Sequence, residues 1–302
     1  MAIDLSSLNK KQLEAVEAID GPLLVLAGPG SGKTRVMVYR AAYLIDKGIA
    51  PSSILMNTFT NKAAEEIRER VFSLLRDSRN DLLSNTNQSQ PLIGTFHSIC
   101  AKILRVEAHE LGFSSRFTIY DEDDQERALK HILEELGLIS KQFSPKKAAQ
   151  TIANLKDELI GPEEYEEKAE TPYERTVAKI YPLYREKLQS SNAMDFGDLL
   201  YLIIKLFEKN PPLLIKYQDR FRYVMVDEYQ DTNIAQWKLM NMLAAPHGNL
   251  CVICDEYQGI YGWSGADFRN ILSFQEQWPN AKVVILDQNY RSTKTIVSAS
   301  RN

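Results

Sequence analysis

Residues Ala27 to Thr34 read AGPGSGKT and follow the apolar run LLVL. Glycines in this pattern let the backbone wrap closely around an anion, so that several N–H groups point at its oxygens. A helix that starts here adds the positive end of its dipole, and Lys33 can reach the outer phosphates of a nucleotide while Thr34 ligates Mg²⁺. The pattern predicts a phosphate-binding loop, with Ala27 where its strictest form has Gly. Its members are Ala27, Gly28, Pro29, Gly30, Ser31, Gly32, Lys33 and Thr34.

An acidic pair supplies the second half of this chemistry. The run YVMV ends in Asp227 and Glu228. An Asp at the carboxyl end of a strand beside a phosphate loop can hold Mg²⁺, and a neighbouring Glu can polarise an attacking water. Each motif alone is weak evidence. Together they predict hydrolysis of a nucleoside triphosphate, with ATP and Mg²⁺ as cofactors.

Aromatic and polar residues in several loops are candidates for contact with nucleic acid. Aromatic rings presented on loops can stack on unpaired bases, and small polar side chains can bind phosphates. For Tyr261 and Trp263, in GIYGWSGADF, a role in the core is an equally good interpretation. A lone His is more often structural than functional. The candidates are Phe59, Asn61, Thr95, His97, Tyr261 and Trp263.

The pattern of elements predicts an α/β fold. Short apolar strands alternate with amphipathic helices over residues 1–76 and again after about residue 193, which predicts a parallel sheet covered by helices. Residues 77–91 read as a surface loop. Between 114 and 192 strand signals fade, which predicts an all-helical insertion. Asp121 is a plausible N-cap there, and the acidic cluster beside it is better explained by capping than by metal binding.

Composition narrows the class of protein without deciding its substrate. The 302 residues carry a net charge of −4, so charge neither indicates nor excludes DNA. We expect a cytoplasmic protein without a membrane partner, because we find neither a secretory signal nor a membrane-length apolar run. Cys251 and Cys254 form a lone CxxC without the second ligand pair of a zinc site, within an apparent buried strand.

Seven segments occur in a characteristic order: LNKKQLEAV, AGPGSGKT, TFTNKAAEEIRERV, GTFHSICAKILR, VDEYQDTN, QGIYGWSGAD and LDQNYRST. With them the chain resembles the UvrD/Rep/PcrA family of superfamily 1 DNA helicases. The resemblance implies a RecA-like fold and an ATP-driven 3′-to-5′ translocase on single-stranded DNA in repair or replication. It implies that Gln12 reads adenine, Arg35 lies near the nucleotide, Gln258 senses the γ-phosphate, Tyr290 stacks on the base and Arg291 contacts the γ-phosphate. It also implies that Glu228 is the catalytic base and Asp227 a metal ligand, and that Phe59, His97, Tyr261 and Trp263 contact single-stranded DNA.

The resemblance also implies a domain organisation. Residues 1–113 and 193–285 would form the first RecA-like domain, 114–192 its helical insertion, and 286–302 the start of a second RecA-like domain. Most of that second domain lies outside this sequence, so we expect the chain alone to lack unwinding activity and to need that domain, or another chain supplying it, as a partner. The chain departs from the family pattern at Cys254, Tyr257 and Ser264, which puts the coupling between ATP and DNA in doubt. It also departs from the pattern at Gly197, without a consequence that the sequence shows.

Two alternatives remain open at this stage. One is a nucleotide-dependent module that binds single-stranded DNA or a partner without turnover. The other is the motor part of a helicase–nuclease, which would need a nuclease domain beyond residue 302. Retention of Lys33, Asp227, Glu228 and Gln258 argues against a decayed site.

Overall fold

The computed structural model describes residues 3–77, 90–138, 143–255 and 274–293. They form two compact units. The first unit contains the described residues of Met1–Phe96, Pro212–Thr232 and Met240–Asn302, and the second contains those of His97–Pro211 and Asn233–Leu239. Most of the predicted loop 77–91 lies outside the described residues.

The elements follow one another in the order expected for an α/β protein. The strands are β1 (Leu23–Ala27), β2 (Ile54–Thr58), β3 (Leu92–Thr95), β4 (Thr118–Tyr120), β5 (Ala193–Asp195), β6 (Tyr223–Val226), β7 (Leu250–Cys254) and β8 (Lys282–Leu286). The helices are α1 (Lys10–Glu17), α2 (Lys33–Asp46), α3 (Asn61–Asp77), α4 (Phe96–Glu107), α5 (Glu122–Glu135), α6 (Pro145–Asp157), α7 (Pro162–Lys168), α8 (Pro172–Ser190), α9 (Phe196–Lys209), α10 (Pro211–Arg220) and α11 (Ile234–Ala244).

The first unit is built on a six-stranded sheet in the order β3-β2-β6-β7-β1-β8, and all of its neighbouring strands pair in parallel. Strands β2, β6 and β7 are buried along their whole length, which explains why they read as continuous apolar runs rather than alternating ones. The predicted parallel α/β fold is therefore confirmed. Because the strands are parallel, β1, β2, β6 and β7 all end at the same edge, where the loops after them converge.

A buried arginine attaches the first helix to this unit. Arg40 of α2 is 2% exposed, and its guanidinium donates to the backbone oxygens of Ala15, Ala18 and Ile19. These are carbonyls at and just beyond the end of α1, which have no partner within the helix. The contact fixes α1, and with it Gln12, against α2.

The second unit is mainly helical, but the expectation of an all-helical insertion was wrong. Residues Thr118–Tyr120 form β4, which pairs in parallel with β5. Three residues are too few to give a periodic signal, and this strand exists only because a partner from far along the chain aligns with it. The N-cap prediction is confirmed, because the Asp121 side chain accepts from the backbone N–H of Asp124. None of the helices in the described ranges is both long and apolar enough to cross a membrane.

A buried charge cluster lies inside the second unit. Lys156 of α6 is 3% exposed, and its Nζ lies 2.7 Å from Asp195 Oδ2 and 2.6 Å from Asp198 Oδ1. The Tyr184 hydroxyl also donates to Asp195, at 3.1 Å. A Cβ at Gly197 would lie 2.9 Å from Lys156 Cδ, so the glycine noted in the sequence leaves room for the lysine.

Candidate functional site

The predicted phosphate loop connects β1 to α2 in a conformation that requires glycine at two positions. Gly30 and Gly32 have φ angles of +72° and +93°. A Cβ at Gly30 would lie 2.5 Å from Arg291 Cβ, and one at Gly32 would lie 2.6 Å from Gln12 Nε2. A side chain at either position would strain the backbone, and at Gly30 it would also collide with Arg291.

Lys33, the first residue of α2, lies between two carboxylates. Its Nζ is 3.1 Å from Asp255 Oδ2 and 3.3 Å from Glu228 Oε2, and its side chain is 11% exposed. Asp255 is fully buried, and the sequence analysis did not single it out. A signal was present, because Asp255 follows β7 as Asp227 follows the neighbouring β6, and parallel neighbours end at one edge.

The acidic pair after β6 lies at this edge in an unusual environment. Burial, with repulsion from Glu228, raises the pKa of Asp227 to about 7, although Lys33 opposes the shift. Glu228 has φ +49° and ψ +46°, a left-handed conformation that is uncommon for any residue except glycine. Backbone strain of this kind costs roughly 1–3 kcal/mol and concentrates at functional sites.

Thr34 and Asp227 offer the hard oxygen atoms that Mg²⁺ prefers. A divalent cation would favour the ionised form of Asp227, which burial now disfavours. In the described ranges no group of three or more His, Cys, Asp or Glu side chains could hold a metal by itself. Mg²⁺ is usually held by one or two carboxylates together with substrate phosphates and water.

Gln12 contacts the phosphate loop and is 2% exposed. Its Nε2 donates to Ser31 O at 2.9 Å, and its Oε1 accepts from the backbone N–H of Asn9 at 3.1 Å. An amide has two donor hydrogens and two acceptor lone pairs, so these two contacts with described residues use one of each. Arg35 is exposed and donates to Ser7 O at 3.1 Å.

The segment after β8 packs directly on the loop. Asn289 Nδ2 donates to Pro29 O at 2.6 Å, and the backbone N–H of Tyr290 donates to Gly30 O at 2.8 Å. The Tyr290 hydroxyl accepts from Asn9 Nδ2 at 2.7 Å, and its side chain is 56% exposed. The predicted nucleotide residues Gln12, Tyr290 and Arg291 are therefore brought to the phosphate loop, together with Asn289, which the sequence analysis did not select.

The predicted DNA-contact residues fall into three groups. In the first unit, Phe59 and Asn61 are exposed just beyond β2, and Thr95 ends β3. In the second unit, the rings of His97 and Phe196 meet edge to face at 5.9 Å, and Phe196 is half exposed. Burial lowers the pKa of His97. The third group, Tyr261 and Trp263, lies outside the described residues. The same holds for Gln258 and for two departures from the family pattern, Tyr257 and Ser264. The third departure in that segment, Cys254, is buried at the end of β7.

Comparison with known proteins identifies relatives along nearly the whole chain. Residues 8–279 match the UvrD/REP helicase N-terminal domain. The chain is 48% identical over 297 residues to the ATP-dependent DNA helicase PcrA of Bacillus subtilis, covering 98% of this chain and 39% of that protein. It is 45% identical over 297 residues to PcrA of Staphylococcus aureus, covering 98% of this chain and 40% of that protein. The chain thus spans about two fifths of the length of the curated relatives it matches.

Proposed function

The chain belongs to the UvrD/REP helicase family, whose relatives here are named ATP-dependent DNA helicases, and we propose that it forms the ATP-binding half of a motor that moves 3′ to 5′ along single-stranded DNA. The observation that carries this proposal is the position of Lys33. It begins a helix directly after a glycine loop, and its Nζ lies 3.3 Å from Oε2 of Glu228, which follows the apolar strand β6. A phosphate-binding lysine and a base for water are thereby combined in one site.

We assign the following roles to the residues of this site. Lys33 binds the outer phosphates together with the backbone N–H groups of residues 27–34 other than Pro29, which has none. Thr34 and Asp227 hold Mg²⁺, and Glu228 polarises the attacking water. Gln12 reads adenine through its remaining donor and acceptor, Tyr290 stacks on the base, and Arg35 and Arg291 contact the nucleotide. Gln258 is proposed to sense the γ-phosphate. When Mg²⁺ is bound, it neutralises charge that develops on the phosphates.

The DNA path is proposed to include Phe59, Asn61, Thr95, His97, Tyr261 and Trp263. Exposed rings such as Phe59 offer a stacking surface to an unpaired base, and this contact does not depend on sequence. We further propose that residues 1–113 and 193–285 act as the first motor domain, that 114–192 are its insertion, and that 286–302 lead into a second motor domain. The setting would be DNA repair or replication in the cytoplasm.

ATP hydrolysis by the 302-residue chain, with and without single-stranded DNA, tests the proposal. We expect slow turnover that DNA stimulates, and no unwinding, because an arginine supplied by a partner domain is worth about 10³–10⁵ in rate in related chemistry. Lys33→Ala serves as the blank. No turnover above this blank, with ATP binding intact, would contradict hydrolysis by this chain alone and favour a nucleotide-dependent binding module.

Lys33→Ala is also expected to weaken ATP binding by about 10- to 100-fold, because hydrogen bonds to charged groups contribute roughly 1.5–3 kcal/mol. Titration of a fluorescent ATP analogue measures the affinity. Lys11→Ala is the matched control, because that lysine is 52% exposed and pairs with Glu14 on α1. Equal affinities of the parent and Lys33→Ala would contradict the assignment of the phosphate loop.

Phe59→Ala is expected to weaken binding of single-stranded DNA by about 1–3 kcal/mol, the range measured for a ring that stacks on a base. Fluorescence anisotropy of a labelled oligonucleotide measures the change. Ile215→Ala removes another exposed apolar side chain from the first unit, 54% exposed, and should leave DNA affinity unchanged. A lower melting temperature for Phe59→Ala with unaltered DNA affinity would assign the ring to packing instead.

A further inference from the structure

Gln230 connects the two carboxylate residues that contact Lys33. Its side chain is 2% exposed. Its Nε2 donates to Glu228 Oε2 at 2.7 Å, and its Oε1 accepts from the backbone N–H of Asp255 at 3.0 Å. The orientation of the amide follows from chemistry, because an ionised carboxylate only accepts and a backbone N–H only donates.

The backbone after β6 makes this contact possible. Glu228 adopts the left-handed conformation, and the short 3₁₀ turn Tyr229–Asp231 follows at once. The N–H of Asp231 donates to Glu228 O at 2.9 Å, which closes the turn. The side chain of Gln230 is thereby directed back toward Glu228 two residues earlier. The strained backbone of Glu228 thus has a structural consequence in the site.

The contacts form a closed ring. Lys33 Nζ contacts Glu228 Oε2, and Glu228 Oε2 accepts from the Gln230 amide. The same amide accepts from the backbone N–H of Asp255, and the Asp255 carboxylate contacts Lys33 Nζ. A neutral amide suits the position between the Glu228 carboxylate and the backbone N–H of Asp255, because it donates to the first and accepts from the second without adding charge. A residue that merely filled space would not need both functions.

We propose that Gln230 is a positioning residue for hydrolysis, which holds the Glu228 carboxylate in one orientation and joins it to the Asp255 anchor of Lys33. This inference rests on the proposed role of Glu228 as the base. A base contributes fully only when it lies within hydrogen-bond reach of the proton it accepts. A freely rotating Glu228 would therefore leave ATP binding intact and slow the chemical step.

Gln230→Glu separates these two effects. One oxygen of the new carboxylate can still accept from the Asp255 N–H, whereas the other faces Glu228 without a proton to donate. We expect kcat to fall at least about tenfold, with KM and ATP affinity within about twofold of the parent. Gln236→Glu is the matched control, because Gln236 forms a capping box with Asn233 in which Glu serves equally well. An unchanged kcat, or a loss confined to KM, would overturn the proposal.

A charge-exchanged pair gives a second readout that does not depend on turnover. In Glu228→Gln/Gln230→Glu the donor and acceptor are reversed, so the hydrogen bond returns. We expect the unfolding equilibrium constant of the double variant to be about 3- to 100-fold smaller than additivity of the single variants predicts. Strict additivity would overturn the inference. A parent chain without turnover above the Lys33→Ala blank would count against the proposed function, and this cycle would then decide the role of Gln230.

Discussion

Glu228→Gln is expected to lower ATP hydrolysis by about 10²–10⁴-fold, the usual contribution of a positioned general base. The amide cannot accept a proton from water, although it has the size and shape of the carboxylate. The left-handed backbone is no less strained with Gln than with Glu, so the turn should persist. Lys33 keeps its contact with Asp255 at 3.1 Å and should still bind phosphate. ATP affinity should be unchanged or slightly tighter, because one negative charge near the phosphates is removed.

The measurement is a hydrolysis rate under saturating ATP, with affinity determined separately. Glu186→Gln is the matched control, because Glu186 is an exposed residue of α8. It should hydrolyse ATP at the parent rate. If Glu228→Gln hydrolyses as fast as the parent, the base must be another group. Asp231 would be the next residue to test, because burial and the nearby Glu228 raise its pKa to about 6.

Local sequence was sufficient wherever a structural feature is made by neighbouring residues. The phosphate loop, its preceding strand and its following helix are contiguous, and Gly30 and Gly32 have the positive φ angles that the motif requires. Strands buried on both faces were recognisable as apolar runs, because parallel sheets leave no polar face. The cap at Asp121 depends on residues within one turn and was equally readable.

Features that depend on distant contacts could not be predicted in this way. Asp255 belongs to the site because β7 pairs with β6, and Gln230 because its side chain accepts from the backbone N–H of Asp255, 25 positions later. Asn289 reaches Pro29 from 260 positions away. The strand β4 has three residues, and its existence depends on β5. In each case the residue type alone does not indicate the structural role, because the role depends on a partner that only the folded chain brings into contact.

The buried cluster around Lys156 is such a case, and its energetics allow a strong prediction. Burial alone would lower the pKa of Lys156, but Asp195 and Asp198 more than compensate and raise it. Burial, with repulsion from Asp195, raises the pKa of Asp198 to about 6, although Lys156 opposes the shift. The lysine therefore compensates two carboxylates that are almost completely buried. Its removal leaves that charge uncompensated, which is far more costly than loss of an exposed ion pair.

Lys156→Met is accordingly expected to lower the free energy of unfolding by about 3–5 kcal/mol, measured by urea denaturation. Lys168→Met is the matched control, because Lys168 pairs with Glu164 on an exposed face, and its loss should be at most about 1 kcal/mol.

A buried carboxyl whose folded pKa is raised contributes stability below its unfolded pKa that is lost as pH rises through the folded value. Without Lys156 the folded pKa of Asp198 rises further, so the loss should be largest above about pH 7 and should shrink toward about pH 5. Equal losses for the two methionine variants, or a loss independent of pH, would show that water reaches the two aspartates and that the cluster is not a desolvated ion group.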